Sequence, residues 1–161
     1  MAKLVLDLKD EQEDSFTLIG ISCHQKDYRL CWELNKILDI ELQKEEDIPG
    51  PNEEIKFSRY YYNNEDFLQD FYLLTNKIGK VFFATELKQA DYILQIYGLR
   101  NEYEVDEVVQ KIISIDSVLT ASVFDTEKLK YGHPLFYTAI PKKKKEEHED
   151  LLAAFRIKSK Q

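Results

Sequence analysis

Apolar residues recur along this chain at two spacings, every second residue in some segments and every third or fourth in others, and the spacing assigns the elements. Residues 16–23, Phe-Thr-Leu-Ile-Gly-Ile-Ser-Cys, are uncharged and apolar on both faces, which predicts a buried strand. From residue 28 the period lengthens. Leu30, Cys31, Leu34, Ile37 and Leu38 form one helical stripe, with Arg29, Glu33 and Lys36 on the opposite side, so a helix is expected over 28–39 with Asp27 as its N-cap. Residues 41–56 are charged and contain Pro49-Gly50-Pro51; a surface loop is expected there. Four strand segments follow, Phe57–Tyr62, Phe67–Thr75, Lys80–Thr85 and Asp91–Tyr97. The short, polar connectors predict that the first three run as an antiparallel meander, with Phe71, Leu73, Val81 and Phe83 on one face. Val105, Val108, Val109, Ile112 and Ile113 mark a second helix over 103–113, before a strand at Val118–Phe124 and another at Leu135–Ile140.

These elements make an α+β domain: a mainly antiparallel sheet of about five or six strands with both helices packed against it. Many alternate strand positions are Tyr rather than charged, so the second sheet face is also expected to be covered. Strand 91–97, helix 103–113 and strand 118–124 form a C-terminal β-α-β unit. It resembles half of a ferredoxin-like fold, as in the small-molecule-sensing domains of feast/famine transcription regulators, and the likeness implies fold only.

Charge divides the chain. Of 161 residues 30 are acidic and 22 basic, a formal charge of −8. Residues 1–140 carry 26 acids and 15 bases, net −11, whereas residues 141–161 carry 4 and 7, net +3. The first part is expected to be the single domain. The second is expected to be a hinge at Lys142–Lys145 and a short helix over 146–157, docked through Leu151, Leu152 and Phe155. An acidic body argues against nucleic acid as a partner, because phosphate neutralisation dominates that affinity. No apolar run approaches the roughly 18–20 residues that cross a bilayer, and the start carries no cleavable leader pattern, so no membrane partner and a cytoplasmic location are expected.

Chemistry-bearing motifs are sparse. The glycines at 20, 50, 79, 98 and 132 form no phosphate-cradling loop, and no nucleophile elbow or paired-His motif occurs. Cys23, His24 and Cys31 have no standard zinc spacing, and Cys31 lies on the buried stripe. Cys23 and His24 are neighbours on a strand and point to opposite faces, which opposes a shared proton. No metal and no cofactor are expected, and no catalytic set emerges. The cluster that stands out is a second stripe on the first helix: Tyr28, Trp32, Asn35 and Asp39, two aromatics with polar tips beside an amide and a carboxylate. That mixture suits an interaction surface or a pocket rim.

Residues 16–36, Phe-Thr-Leu-Ile-Gly-Ile-Ser-Cys-His-Gln-Lys-Asp-Tyr-Arg-Leu-Cys-Trp-Glu-Leu-Asn-Lys, followed by Glu86-Leu-Lys-Gln-Ala-Asp-Tyr92, resemble the bacterial IPExxxVDY family over most of residues 14–140. Glu86, Asp91 and Tyr92 match its naming motif. Ala84 and Thr85 stand where Ile-Pro is usual, and Ala90 replaces Val. The resemblance implies a small cytoplasmic bacterial protein and brings no catalytic residues. Physically, Glu86 and Asp91 are expected to cap backbone N–H groups within their own connection, and Tyr92 to open a buried face with Leu94 and Ile96. The function expected is a non-enzymatic interaction or regulatory module, a homo-oligomer or the binder of an unidentified protein; the alternative is a small-ligand-binding domain of ferredoxin-like type.

Overall fold

The structure, a computed structural model, describes residues 15–138. Its elements in chain order are β1 (Phe16–Cys23), α1 (Asp27–Leu38), β2 (Gln43–Pro49), β3 (Lys56–Asn64), β4 (Gln69–Thr75), the short pair β5 (Lys77–Ile78) and β6 (Val81–Phe82), β7 (Tyr92–Tyr97), α2 (Glu102–Ile113) and β8 (Val118–Phe124). Single 3-10 turns occupy Thr85–Leu87, Thr126–Lys128 and Pro134–Tyr137. Six strands form one sheet in the order β2-β3-β4-β7-β1-β8, with every neighbouring pair antiparallel. The α+β architecture expected from the periodicity is the one observed. β7 and β8 both run antiparallel to β1, which lies between them, so they are parallel to each other and α2 makes the crossover.

Both faces of the sheet are buried. On one side Ile19, Ile21, Leu73, Tyr92, Leu94 and Ile96 pack with Leu30, Cys31 and Leu34 of α1 and Ile112 of α2. The apolar stripes of the two helices supply that cover. On the other side Leu18, Tyr72, Leu74 and Ile93 pack under Ala84, Leu87, Ala90, Leu129 and Leu135. Among the described residues no regular helix lies on this second face; irregular chain does the covering, and its backbone must therefore find hydrogen-bond partners one by one.

Asn76 supplies several of them. It is fully buried. Its Nδ2 donates to the carbonyls of Leu87 (2.8 Å) and Ala90 (2.9 Å), and its Oδ1 accepts from the Ala84 N–H (2.8 Å). Its backbone donates to Asp91 O (2.9 Å) and accepts from Phe83 N (2.7 Å). One side chain thus closes the excursion from residue 77 to 90 over the second face. Gln95, also fully buried, does the same for the last described segment: its Nε2 donates to Leu135 O (2.8 Å), its Oε1 accepts from the Thr138 hydroxyl, and Arg59 Nη1 donates to Thr138 O (3.0 Å).

Several expectations are corrected. The segment 41–56 is no simple loop, because Gln43–Pro49 pairs with β3. It is an edge strand, where charge, a proline and the bulge between Glu45 and Ile48 are tolerated and discourage further pairing. Residues 80–85 do not continue the meander. β4 is instead paired on its free side by β7, with Leu73 opposite Leu94, so Val81 sits in the small β5–β6 hairpin and shares no sheet row with Leu73. Phe67 and Leu68 belong to a turn before β4. That turn approaches Gly98, whose φ is +94° and where a Cβ would lie 2.3 Å from Leu68 O, so only glycine fits. The strand expected at Leu135–Ile140 is a 3-10 turn over Pro134–Tyr137, started by proline and held by Gln95. The hinge and helix expected in 141–161 lie outside the described residues.

Replacing Asn76 with Ala leaves two carbonyls and one N–H buried without partners, each worth about 1–3 kcal/mol. We expect Asn76→Ala to lower unfolding stability by about 3 kcal/mol or more, read from the urea midpoint at unchanged slope. A loss under ~1 kcal/mol would refute the assignment of Asn76 as the closing residue.

Candidate functional site

The candidate site is the first helix and the loop that starts it. β1 ends at Cys23, three residues follow, and α1 begins at Asp27. Asp27 is not the N-cap. Lys26 holds that position in extended conformation without a side-chain cap, and its carbonyl accepts from Arg29 N (3.1 Å) and Leu30 N (3.0 Å). Asp27 lies in the first turn, where a carboxylate is favoured by the helix dipole, and its Oδ2 accepts from the Tyr60 hydroxyl at 3.0 Å.

Two motif residues fix the loop. Asp91 does not cap its own connection; its Oδ2 accepts from the Cys23 N–H at 2.9 Å, 68 residues away in sequence, and its own N–H donates to Ile21 O (2.9 Å). The Tyr92 hydroxyl donates to Gln25 O at 2.5 Å, while its ring joins Leu94 and Ile96 in the buried face. Burial, with the Asp27 charge behind it, raises both Tyr60 and Tyr92 well above the ordinary phenol range, so both hydroxyls stay protonated as donors. Glu86 serves the opposite face. Its Oε1 lies 3.0 Å from His133 Nε2, and His133 Nδ1 accepts from Leu135 N (3.1 Å). The three motif residues therefore do not converge on one point. Two pin the start of α1, and one pins the cover over the second face.

The second stripe of α1 divides as well. Asn35 is locked to Leu42 in both directions, Nδ2 to Leu42 O (3.2 Å) and Leu42 N to Oδ1 (2.8 Å), which ties the helix to the approach of β2. Asp39 ends the helix in the left-handed region at φ 56°, its N–H donating to Asn35 O. Tyr28 and Trp32, by contrast, are 63% and 52% exposed. They lie four residues apart, one above the other on a helix. The Arg29 guanidinium stands 4.9 Å and the Lys36 ammonium 5.2 Å from the centre of the Trp32 ring, within cation–π range. Arg29 also pairs with Glu33 at 3.4 Å. The outer face of α1 is thus aromatic and cationic on a domain that is acidic overall.

The thiols are placed for packing. Cys23 and Cys31 are buried and unpaired. Cys31 Sγ points to Leu42 O at 3.6 Å, and burial followed by the Asp27 charge pushes its thiol up to about 11, which removes thiolate character. His24 is exposed, and His133 is buried on the other face, where it meets the exposed Glu86. Among the described residues no group of three or more His, Cys, Asp or Glu could hold a metal ion, and no helix is long and apolar enough to cross a membrane. A cleft of about 290 Å³ runs between residues 85–90 and β8, lined by Gly20, Lys88, Thr120 and Ser122 among others. No fully buried polar side chain lines it. Asn76, Gln95 and Thr138 escaped the sequence reading. Their only signal was a lone amide at the end of one strand and another amid the apolar run of β7, which is how a buried hydrogen-bonding residue looks before its partners are known.

No family model matches the chain, and no curated protein matches it either.

Removing one hydroxyl tests the pinning. Tyr92→Phe leaves the Gln25 carbonyl without its donor, so a loss of about 1 kcal/mol is expected, with faster amide exchange over residues 24–30 and unchanged exchange in β4. Uniformly faster exchange would mean that Tyr92 acts on the whole domain. Glu86 gives a pH test. Burial alone would raise its carboxyl, but its own backbone N–H, the His133 ring and the Thr85 hydroxyl outweigh that and hold it below the ordinary 4.5. The folded state therefore binds the proton less readily than the unfolded chain, and stability present above pH 4.5 is lost as pH falls through the lowered value. Glu86→Gln should flatten that acid limb of the unfolding curve. An identical acid limb in the variant would sink the assignment.

Proposed function

We propose that this chain is a non-enzymatic interaction module that presents the outer face of α1 to a protein partner. The observation that carries the reading is the pairing of Tyr28 and Trp32, both exposed, on a helix held at its start by Tyr60 and Tyr92 and at its end by Asn35. Rigid aromatic side chains flanked by arginine are the residue types that dominate protein–protein contact energy. Because the helix is already fixed, little ordering is left to oppose binding. Arg29 and Lys36 select a partner surface that is acidic around an apolar centre. The two unpaired thiols support a reducing, cytoplasmic setting, and the family likeness supports a bacterial one. The alternative, a small ligand in the cleft beside residues 85–90, draws support from the cleft of about 290 Å³ itself, which Lys88, Thr120 and Ser122 line.

Trp32 is the sole tryptophan, so its emission reports on its own surface. With proteins recovered on the immobilised chain and then purified, titration should shift that emission to the blue. Trp32→Ala should weaken binding at least about tenfold, the 1.4 kcal/mol scale of one good contact residue, without lowering the melting temperature. Equal recovery by wild type and Trp32→Ala, with perturbation confined to Gly20, Lys88 and Ser122, would replace this reading with the ligand alternative.

A further inference from the structure

The two edges of the sheet are built differently. β2, at one end, is Gln-Lys-Glu-Glu-Asp-Ile-Pro: four charges, a terminal proline and a bulge. Each of these devices keeps another strand from adding to an edge. β8, at the other end, is Val-Leu-Thr-Ala-Ser-Val-Phe, seven residues with no charge and no proline. Its pairing to β1 is regular from Thr120 to Phe124 and irregular only where Leu119 is left without a Cα partner. Leu119 and Val123 are 59% and 50% exposed. An uncharged, β-branched edge whose outer side pairs with no other strand among the described residues is a template for a further strand.

The order of residues along β8 says which strand. About Ala121 the pattern reads the same in both directions: Thr120 against Ser122, Leu119 against Val123, Val118 against Phe124. An antiparallel pairing of β8 with itself about a two-fold axis at Ala121 sets Leu119 of one copy opposite Val123 of the other, twice, and Thr120 opposite Ser122, twice. The two exposed apolar residues then cover each other. The nearest flanking acids, Asp116 and Asp125, fall opposite Thr126 and Ser117, so no like charges meet although each copy carries −8. Such self-complementarity is what an isologous interface requires. The geometry points to a homodimer formed by antiparallel β8–β8 addition, which joins two six-stranded sheets into one of twelve. The cleft lined by Thr120, Ser122 and Val123 borders this edge, so the second copy would stand at its open side. This surface is separate from the outer face of α1, and either can hold without the other.

Sedimentation at about 100 µM, well above the Kd of a specific dimer, should give twice the 19.1 kDa chain mass. The double variant Leu119→Lys plus Val123→Lys, which places charge on the edge, should halve that mass while keeping the far-ultraviolet spectrum. Tyr131→Lys, at a fully exposed position elsewhere, should stay dimeric. Should the lysine variant fail to fold, Leu119→Cys with Val123→Cys gives an independent readout: mild oxidation should cross-link two copies covalently. A monomeric wild type, including one whose own terminal segment covers β8, would overturn the proposal. So would a dimer that survives the lysine variant or does not cross-link.

Discussion

A primary amide with no water around it must find its partners inside the protein or destabilise it by several kcal/mol. Asn76 meets that demand with three side-chain bonds and two backbone bonds, and the rest of the molecule is arranged around them. Its side chain sets where residues 84, 87 and 90 cross the second face. Through its backbone it meets Asp91, whose carboxylate takes the Cys23 N–H on the far side of β7. The next residue, Tyr92, reaches the loop before α1. One short stretch of hydrogen bonds thus couples the cover on one face to the helix on the other.

The need for two covers follows from the sheet. Its central strands carry apolar side chains on both sides, and such a sheet is stable only between two layers. The helices provide one layer through ordinary amphipathic stripes. The other is assembled from turns, and a row of rings lends it continuity: Tyr61 to Tyr72 at 4.7 Å, Tyr72 to Tyr97 at 6.0 Å, Tyr97 to Phe16 at 5.3 Å and Phe16 to Phe136 at 5.6 Å. These tilted and edge-on contacts suit aromatic quadrupoles. They also explain the excess of tyrosine at alternating strand positions: Tyr60 and Tyr61 face opposite sides, each with an acid for its hydroxyl, Asp27 and Asp70.

This division of labour bears on function. The polar residues that look most chemical, Glu86, Asp91, Tyr92 and His133, are used in holding segments together. Among the described residues, the surfaces proposed for contact with other molecules are instead the outer face of α1 and the uncharged edge at β8. Both are surfaces presented by regular elements, rigid enough to be recognised without further folding.

Local pattern by itself determined the elements whose burial repeats regularly: β1, both helices, the β3 and β4 pair, β7 and β8, and hence the α+β class. It also marked Tyr28 and Trp32, because helical period alone sets which residues share a stripe. It could not separate them from Asn35 and Asp39, whose duties depend on Leu42 and on a left-handed backbone. Nor could it show that Asp91 answers Cys23 or that Glu86 answers His133, 47 residues on, since such pairs form only when the chain has closed on itself. β2 was hidden for a related reason: an edge strand wears the charge of a loop, and only the neighbour that pairs with it reveals the difference. Tertiary structure decided which polar groups were buried, and burial is what turned them from candidate chemistry into the bonds that hold the fold.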